Sequence, residues 1–569
     1  MTAARAADPA PFPTAPTART FPVTDAAPTD AELAGLPALA PLLADRLREL
    51  GYSVAGLHAL LGDSGMAALD RGEPEAVAAA IDAALSDAAF SDAARPALPD
   101  LVRALVVGDA ADLRPHLGDG LLGGCLSAGV LREVAGGHVA AIDVRPVLVD
   151  GIERLVFSDR DASMTDHVPG PDHVLGVGRA SRSLLDITPT DAVGEVLDLG
   201  SGCGVQALGQ HRADRVTATD LHPRACTFTR ATLAAATGAG ASPEVEVLAG
   251  SWFEPVAGRR FDRIVANPPF VVGLPEVGHV YRDSGLDLDG ATELMLGNLA
   301  DHLNPGGTAH LLGAWAHVAG GDWASRIAAW LPAEGLEAWV VQRDVADPAE
   351  YVGTWLRDES IDPRSPEGRA KTRRWLDHFA AAGVTGVGFG YATVQRIDGP
   401  TSLTCEDMPQ PLGGPFRDEA AEYLVRADWL RDRDAADILA ANFRLRPGLA
   451  VERVEVADAA QEQGFEPAAL RVTRTDGPRW SHDADDAVVR ILSALHPDAS
   501  LGTVIDVMAM LGAIDEDAAD AVKEAVVPVV VDLVRHGLVL PVDLLADGDA
   551  PADSKTTWET NTRTKGAGE

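Results

Sequence analysis

The chain has 569 residues, 46% of them hydrophobic and 23% charged, which excludes one small core and implies on the order of two to four globular domains. Its 85 acidic against 47 basic residues leave a net charge of −38, a field that repels phosphate backbones and disfavours broad nonspecific nucleic-acid binding without excluding a local basic site. No run of about 18 apolar residues suggests a membrane span, and four widely spaced cysteines (Cys125, Cys203, Cys226, Cys405) without a Cys-x-x-Cys pair argue against a disulfide framework or metal site and suit the cytoplasm.

Residues 1–28, rich in Ala, Pro and Thr, read as a disordered leader. Residues 29–160 read as an N-terminal helical domain ending in a β-hairpin. Ala31 to Leu50 has helical apolar spacing, further Ala/Leu helices follow to about Leu131, and His138 to Phe157 switches to period two around an Asp150-Gly151 turn. Helices closing on a β-ribbon suggest a winged-helix-like module or a helical cap whose hairpin packs on the next domain.

Residues 161–399 alternate strand and helix, the pattern of an α/β domain with a mostly parallel sheet. Seven strands are expected near 195–199, 215–219, 244–249, 261–266, 307–313, 336–343 and 384–397, with a helical insert at 346–382 between the last two. Residues 400–545 read as a C-terminal α+β appendage: helical over 415–445, strand-like over 449–456 and 469–474, helical over 483–536, with a short strand at Leu538 to Pro541. Helices closing on a small β element again suggest a winged-helix-like form. The polar tail, 546–569, is expected to be disordered.

Two motifs carry chemistry. The first strand runs into Asp198-Leu-Gly200-Ser201-Gly202-Cys-Gly204, where glycines let the backbone approach a ligand closely. The spacing is not the Gly-x-Gly-x-x-Gly of dinucleotide enzymes. An acidic residue two before the first glycine can pair with the ammonium of a methionine moiety, and Asp220, ending the second strand, can accept from ribose hydroxyls. A turn that merely packs is the bland alternative. The second motif is Asn267-Pro268-Pro269-Phe270, after the strand Phe261 to Ala266. Consecutive prolines stiffen the loop and remove two donors; the Asn oxygen and the Pro268 carbonyl can then both accept from one planar amino group, with Phe270 stacked on its plane. A rigid strand-end turn is the alternative. Val174-Leu-Gly-Val-Gly-Arg-Ala-Ser181 reads first as a turn with Ser181 as a helix N-cap, and second as a lid on the cofactor.

On these motifs, residues 165–345 resemble the class I S-adenosylmethionine (SAM)-dependent methyltransferases, and among them the small-domain methylases that include release-factor glutamine and RNA base N-methyltransferases. The resemblance implies a Rossmann-like seven-stranded sheet flanked by mainly helical domains, and SAM as cofactor. It places Asp198, Gly200 and Gly202 on the methionine half, Ser201 and Gly204 of the same turn also at the cofactor, and Asp220 with Leu221 at the ribose. Gly250-Ser251-Trp252-Phe253 falls at the adenine, where family members often carry Asp in place of Ser251. Asn267 to Phe270 become the catalytic motif, Asn267 also touching the cofactor.

The motif leaves the acceptor open. A glutamine amide of a translation-related protein is favoured, because Tyr281 to Gly290 resembles the corresponding loop of glutamine methyltransferases. An RNA or DNA base, a small molecule, and a non-catalytic SAM-binding scaffold are the alternatives. One basic island, Arg364 to Trp375, reads either as a grip on phosphate or on an acidic protein surface, or as a solvated helix face pairing with nearby acids.

Overall fold

The computed structural model describes residues 27–86, 97–165, 169–236, 243–279, 281–412, 414 and 416–544. All but the last two residues of the expected leader, and the whole expected tail, fall outside them. The chain divides into two compact units, one of 1–185, 190–332 and 345–389, the other of 186–189, 333–344 and 390–569.

The first unit opens with helices α1 (Leu36–Glu49), α2 (Val54–Arg71) and α3 (Pro74–Ser86), and reaches a hairpin of β1 (Asp143–Val149) and β2 (Ile152–Ser158) turning at Asp150-Gly151. After α4 (Arg179–Ile187) come β3 (Glu195–Leu199), β4 (Arg215–Asp220), α5 (Pro223–Ala236), β5 (Glu244–Ala249), β6 (Phe261–Ala266), α6 (Gly290–His302) and β7 (Leu303–Val318). These strands pair in parallel in the order β7-β6-β3-β4-β5. Val196 and Leu197 of β3 and Ile264, Val265 and Ala266 of β6 are fully buried, as parallel strands covered on both faces must be. The N-terminal helices do not form a separate core. Leu36, Leu43 and Leu47 of α1 join Phe228 and Ala231 of α5 in one cluster, and Arg224 of α5 donates to Asp159 and to the Pro28 carbonyl.

The order places a topological switch between β3 and β6: the chain runs outward from β3 through β4 to β5, then returns to β6 on the opposite flank. Ligands of open α/β sheets bind outside the carboxyl ends of strands at such a switch. The glycine turn follows β3 and Asn267 to Phe270 follow β6, so this point brings the two motifs together.

The remaining sheet strands are β8 (Glu334–Ala346), β9 (Val384–Pro400) and β10 (Ser402–Asp407). The principal sheet therefore has eight strands, not seven. The addition, β10, begins two residues after β9 ends and pairs in parallel with β8; its half-buried side chains gave no clean apolar pattern to read. Between β8 and β9 stand α7 (Pro348–Asp358) and α8 (Pro366–Ala381), the expected insert. The second unit continues through α9 (Arg417–Arg431), a short pair of β11 (Phe443–Leu445) with β14 (Val539–Pro541), and an antiparallel ribbon of β12 (Leu449–Ala457) and β13 (Phe465–Arg474), with α10 (Leu501–Met510) and α11 (Ala519–Arg535) before β14. Within it Trp339 of β8 stacks on Tyr423 of α9 at 4.1 Å. Among the described residues no helix is long and apolar enough to cross a membrane, and no cluster of His, Cys, Asp and Glu could hold a metal.

Candidate active site

The glycine turn after β3 is built by backbone demand. Gly200, Gly202 and Gly204 have φ of +74°, +53° and +79°, the left-handed region that side chains disfavour. The turn is tied to the next strand: the Gly200 and Ser201 amides both donate to the Thr219 carbonyl at 2.9 Å, and the Gly202 amide donates to Asp220 Oδ2 at 2.9 Å. A Cβ on Gly200 or Gly202 would meet nothing within 4 Å, so both glycines face open space. On Gly204 it would lie 3.1 Å from Thr229, so that glycine is there for packing.

That open space is a cavity of about 720 Å³. Gly200, Ser201, Gly202, Asp220, Leu221, Ser251, Trp252 and Asn267 to Phe270 all line it, so residues predicted from two separate motifs share one chamber. Leu221, 58% exposed, and Leu175, 46% exposed, present apolar surface to it. Trp252 is held at φ +46°, a costly conformation for a bulky residue, beside the expected adenine position. Among the described residues no hydrogen bond holds the Asn267 carboxamide, while Pro268 beside it is buried.

Two predicted residues stand apart. Gly204 packs on α5, as above. Asp198 is fully buried and not on the cavity wall: its Oδ2 accepts from the Ala207 amide at 2.9 Å, and Oδ1 has no partner. Burial pushes this carboxyl up to about 7, with the Ala207 bond opposing the shift. Through Oδ2 this carboxyl braces the turn from beneath, off the cavity wall. Burial also raises the Asp220 carboxyl, against hydrogen bonds from the His222 and Gly202 amides.

Ser181 is not a helix N-cap. Helix α4 begins at Arg179, and the Ser181 carbonyl accepts from Gln206 Nε2 at 2.8 Å. Val174 to Ser181 line the cavity.

Sequence reasoning missed two walls. Asp143, Arg145, Asp159 and Asp161 to Ser163 come from the N-terminal hairpin and the stretch after it. Trp355, Arg357, Asp358 and Ser360 come from the insert, facing the cavity with Tyr281 and Arg282 of the loop after Phe270. The signal for the second wall was present in the aromatic spacings Tyr351/Trp355 and Trp375/Phe379, which mark two helices laid on something apolar. The basic island is mostly spent on neighbours: Arg364 pairs with Asp362, Lys371 with Glu359 and Arg374 with Glu276.

Residues 175–308 match the family described as methyltransferase small domain, and residues 421–541 match a domain of unknown function, DUF7782. Over 143 residues, 25% of this chain and 37% of the relative, the sequence is 36% identical to ribosomal RNA small subunit methyltransferase C of Escherichia coli O7:K1. The same enzyme of Citrobacter koseri is 37% identical over the same shares. The chain thus spans little more than a third of the length of these relatives. Among solved structures, the T. thermophilus 16S rRNA N2 G1207 methyltransferase in complex with AdoMet and guanosine is 22% identical over 30% of this chain and 42% of that one, with a TM-score of 0.22. The α/β domain that carries the cavity is a class I SAM-dependent methyltransferase domain of the small-domain type.

Proposed function

We propose that the chain is a SAM-dependent N-methyltransferase whose acceptor is an exocyclic amino group of an RNA base. The observation that carries the reading is the convergence of the Gly200 to Gly202 turn and Asn267 to Phe270 on one chamber at the switch point. The chamber fits the cofactor: it offers two glycines open to the ligand, a carboxylate at the end of the second strand, and apolar Leu221. Gly200 to Gly202 would hold the methionine portion, Asp220 the ribose hydroxyls, and Ser251 with Trp252 the adenine. When bound, SAM supplies an electrophilic methyl group.

The rest falls to the chain's own residues. An exocyclic amine is a weak nucleophile because its lone pair is delocalised. The Asn267 side-chain oxygen and the Pro268 carbonyl accept from its two hydrogens, which favours the positive charge that builds on nitrogen during attack. Phe270 stacks on the acceptor plane and fixes its orientation. The proton left on nitrogen passes to water, and no dedicated base is needed. Keeping Asn-Pro-Pro-Phe on the cavity wall counts against a scaffold that only binds SAM.

The acceptor class rests on the relatives: those at 36% and 37% identity carry names that place their activity on ribosomal RNA of the small subunit. They favour a base over the protein glutamine that the loop after Phe270 suggested. Purified protein, methyl-labelled SAM and lysate from a strain lacking the gene provide the test, with product divided between nuclease and protease digestion. Label lost on nuclease treatment is expected. Label that survives nuclease and is released by protease would return the acceptor to protein.

A further inference from the structure

Helices α7 and α8 are specified locally and firmly. Asp347 caps α7 by accepting from the Ala349 and Glu350 amides, Ser365 caps α8 by accepting from Gly368, and a proline follows each cap. Their apolar faces, Tyr351, Val352 and Leu356 on one and Trp375 and Phe379 on the other, form a core with Val271 and Val272. What the insert covers is the backbone directly after Asn-Pro-Pro-Phe.

The grip continues along that loop. The Val272 amide donates to the buried Tyr351 hydroxyl at 2.7 Å. Gly273 packs so closely on the Trp375 indole that a Cβ there would lie 2.8 Å from it. Tyr281 donates to Asp358 at 2.7 Å, and Arg282 donates to the Trp355 carbonyl at 3.1 Å with its guanidinium 5.7 Å from the Trp355 ring. Arg282 also forms a buried ion pair with Glu359, which Lys371 joins. Arg374 meets Glu276 and His378 meets Asp287, both at 2.8 Å. Contacts at residues 272, 273, 276, 281, 282 and 287 thus leave little of this loop free to move.

We infer that the insert is the acceptor-positioning element of this site, with Tyr351 fixing the backbone beside Asn267 to Phe270 and the Arg282–Glu359 pair holding the returning part of the loop, where the Arg282 carbonyl accepts from the Val271 amide at 3.1 Å. That part of the loop offers the Tyr281 ring to the cavity, a surface suited to a flat heteroaromatic acceptor lying against Phe270, while the buried Arg282 guanidinium anchors it on Trp355. The inference rests on the methyltransferase reading. Tyr351 and Glu359 act through other residues and are positioning residues.

The test uses the full-length protein. Tyr351→Phe removes one oxygen and keeps the ring. Its expected signature is about tenfold faster hydrogen exchange at residues 271–273, SAM affinity within about twofold of wild type by calorimetry, and about tenfold slower label transfer into lysate of the gene-deleted strain at saturating lysate. Glu359→Gln should release residues 281–284 in exchange and raise the lysate concentration needed for half-maximal transfer, again with SAM affinity kept. Arg364→Ala, whose partner Asp362 is an exposed neighbour, should change none of these. Wild-type transfer that Tyr351→Phe and Glu359→Gln leave intact would overturn the inference alone. No transfer by the wild-type protein into either digest would overturn the parent reading, and this inference with it.

Discussion

The amide of Gly202 donates to Oδ2 of Asp220 at 2.9 Å, and the other oxygen of the same carboxylate accepts from the His222 amide at 3.0 Å. The glycine turn after β3 and the carboxylate that ends β4 are therefore one unit, and neither can be altered without the other. Asp220→Ala should remove both acceptors, loosen the turn and remove a hold on the ribose, weakening SAM about tenfold or more, on the order of 1.4 kcal/mol. Gly202→Val should do at least as much, since it puts a side chain into the open space and strains a residue at φ +53°. Calorimetry with SAM checks both, and unchanged affinity in the two variants would rule out the cofactor site placed here.

Catalysis should separate from cofactor binding at Asn267. Asn267 lines the cavity and its carboxamide makes no hydrogen bond among the described residues, so Asn267→Ala should melt near wild type and keep much of the SAM affinity. Methyl transfer should fall about a hundredfold or more, the usual scale for removing one preorganised polar group at the reacting centre. Rate assays with the labelled lysate decide it; normal turnover would show that the amino group is held some other way.

Asp198 makes a prediction in pH. Burial raises its folded-state value from 3.8 to about 7. Between those values the native chain holds a proton that the unfolded chain has released, so this group's contribution to stability declines as pH rises through the window. The slope is at most about 1.4 kcal/mol per pH unit. Asp198→Asn keeps an oxygen for the Ala207 amide and removes the titration. Relative to wild type, the variant's melting temperature should rise on going from pH 5 to pH 8 in the absence of SAM, and a constant or falling difference would contradict the burial of this carboxyl.

Much of this was legible in the sequence because strand and helix patterns alternate: the inner strands at 195 and 261 carry buried apolar residues, and the exposed edge strand at 244 alternates Glu and Val. Five of the seven strands, those at 195, 215, 244, 261 and 384, begin at the residues the pattern indicates. The cavity's two motifs were legible because their chemistry is local: left-handed glycines in one, paired prolines in the other. What stayed hidden depends on neighbours distant in sequence. Nothing near Asp198 reveals that its oxygen meets Ala207 beneath the turn. The use of Lys371 and Arg374 is invisible without Glu359 and Glu276 folded against them, so the island looked more available than it is. Ser181 had the right residue type for a cap, but α4 starts two residues earlier.

The last prediction concerns how an RNA acceptor is held by a chain of net charge −38. Arg179 and Arg357 line the cavity, are exposed, and have no carboxylate within ion-pair reach among the described residues. Each is therefore available for phosphate in a way that Lys371 and Arg374 are not. With deproteinised ribosomal RNA from a strain lacking the gene as probe, Arg179→Ala with Arg357→Ala should weaken binding and reduce the dependence of log affinity on log salt by roughly one unit for each phosphate that is no longer neutralised. Arg364→Ala should leave that slope unchanged, since Asp362 already neutralises it. SAM affinity should survive in both variants if these arginines serve the acceptor alone. A salt slope that the double variant leaves untouched would remove Arg179 and Arg357 from the RNA interface and direct the search to the second unit, of 186–189, 333–344 and 390–569.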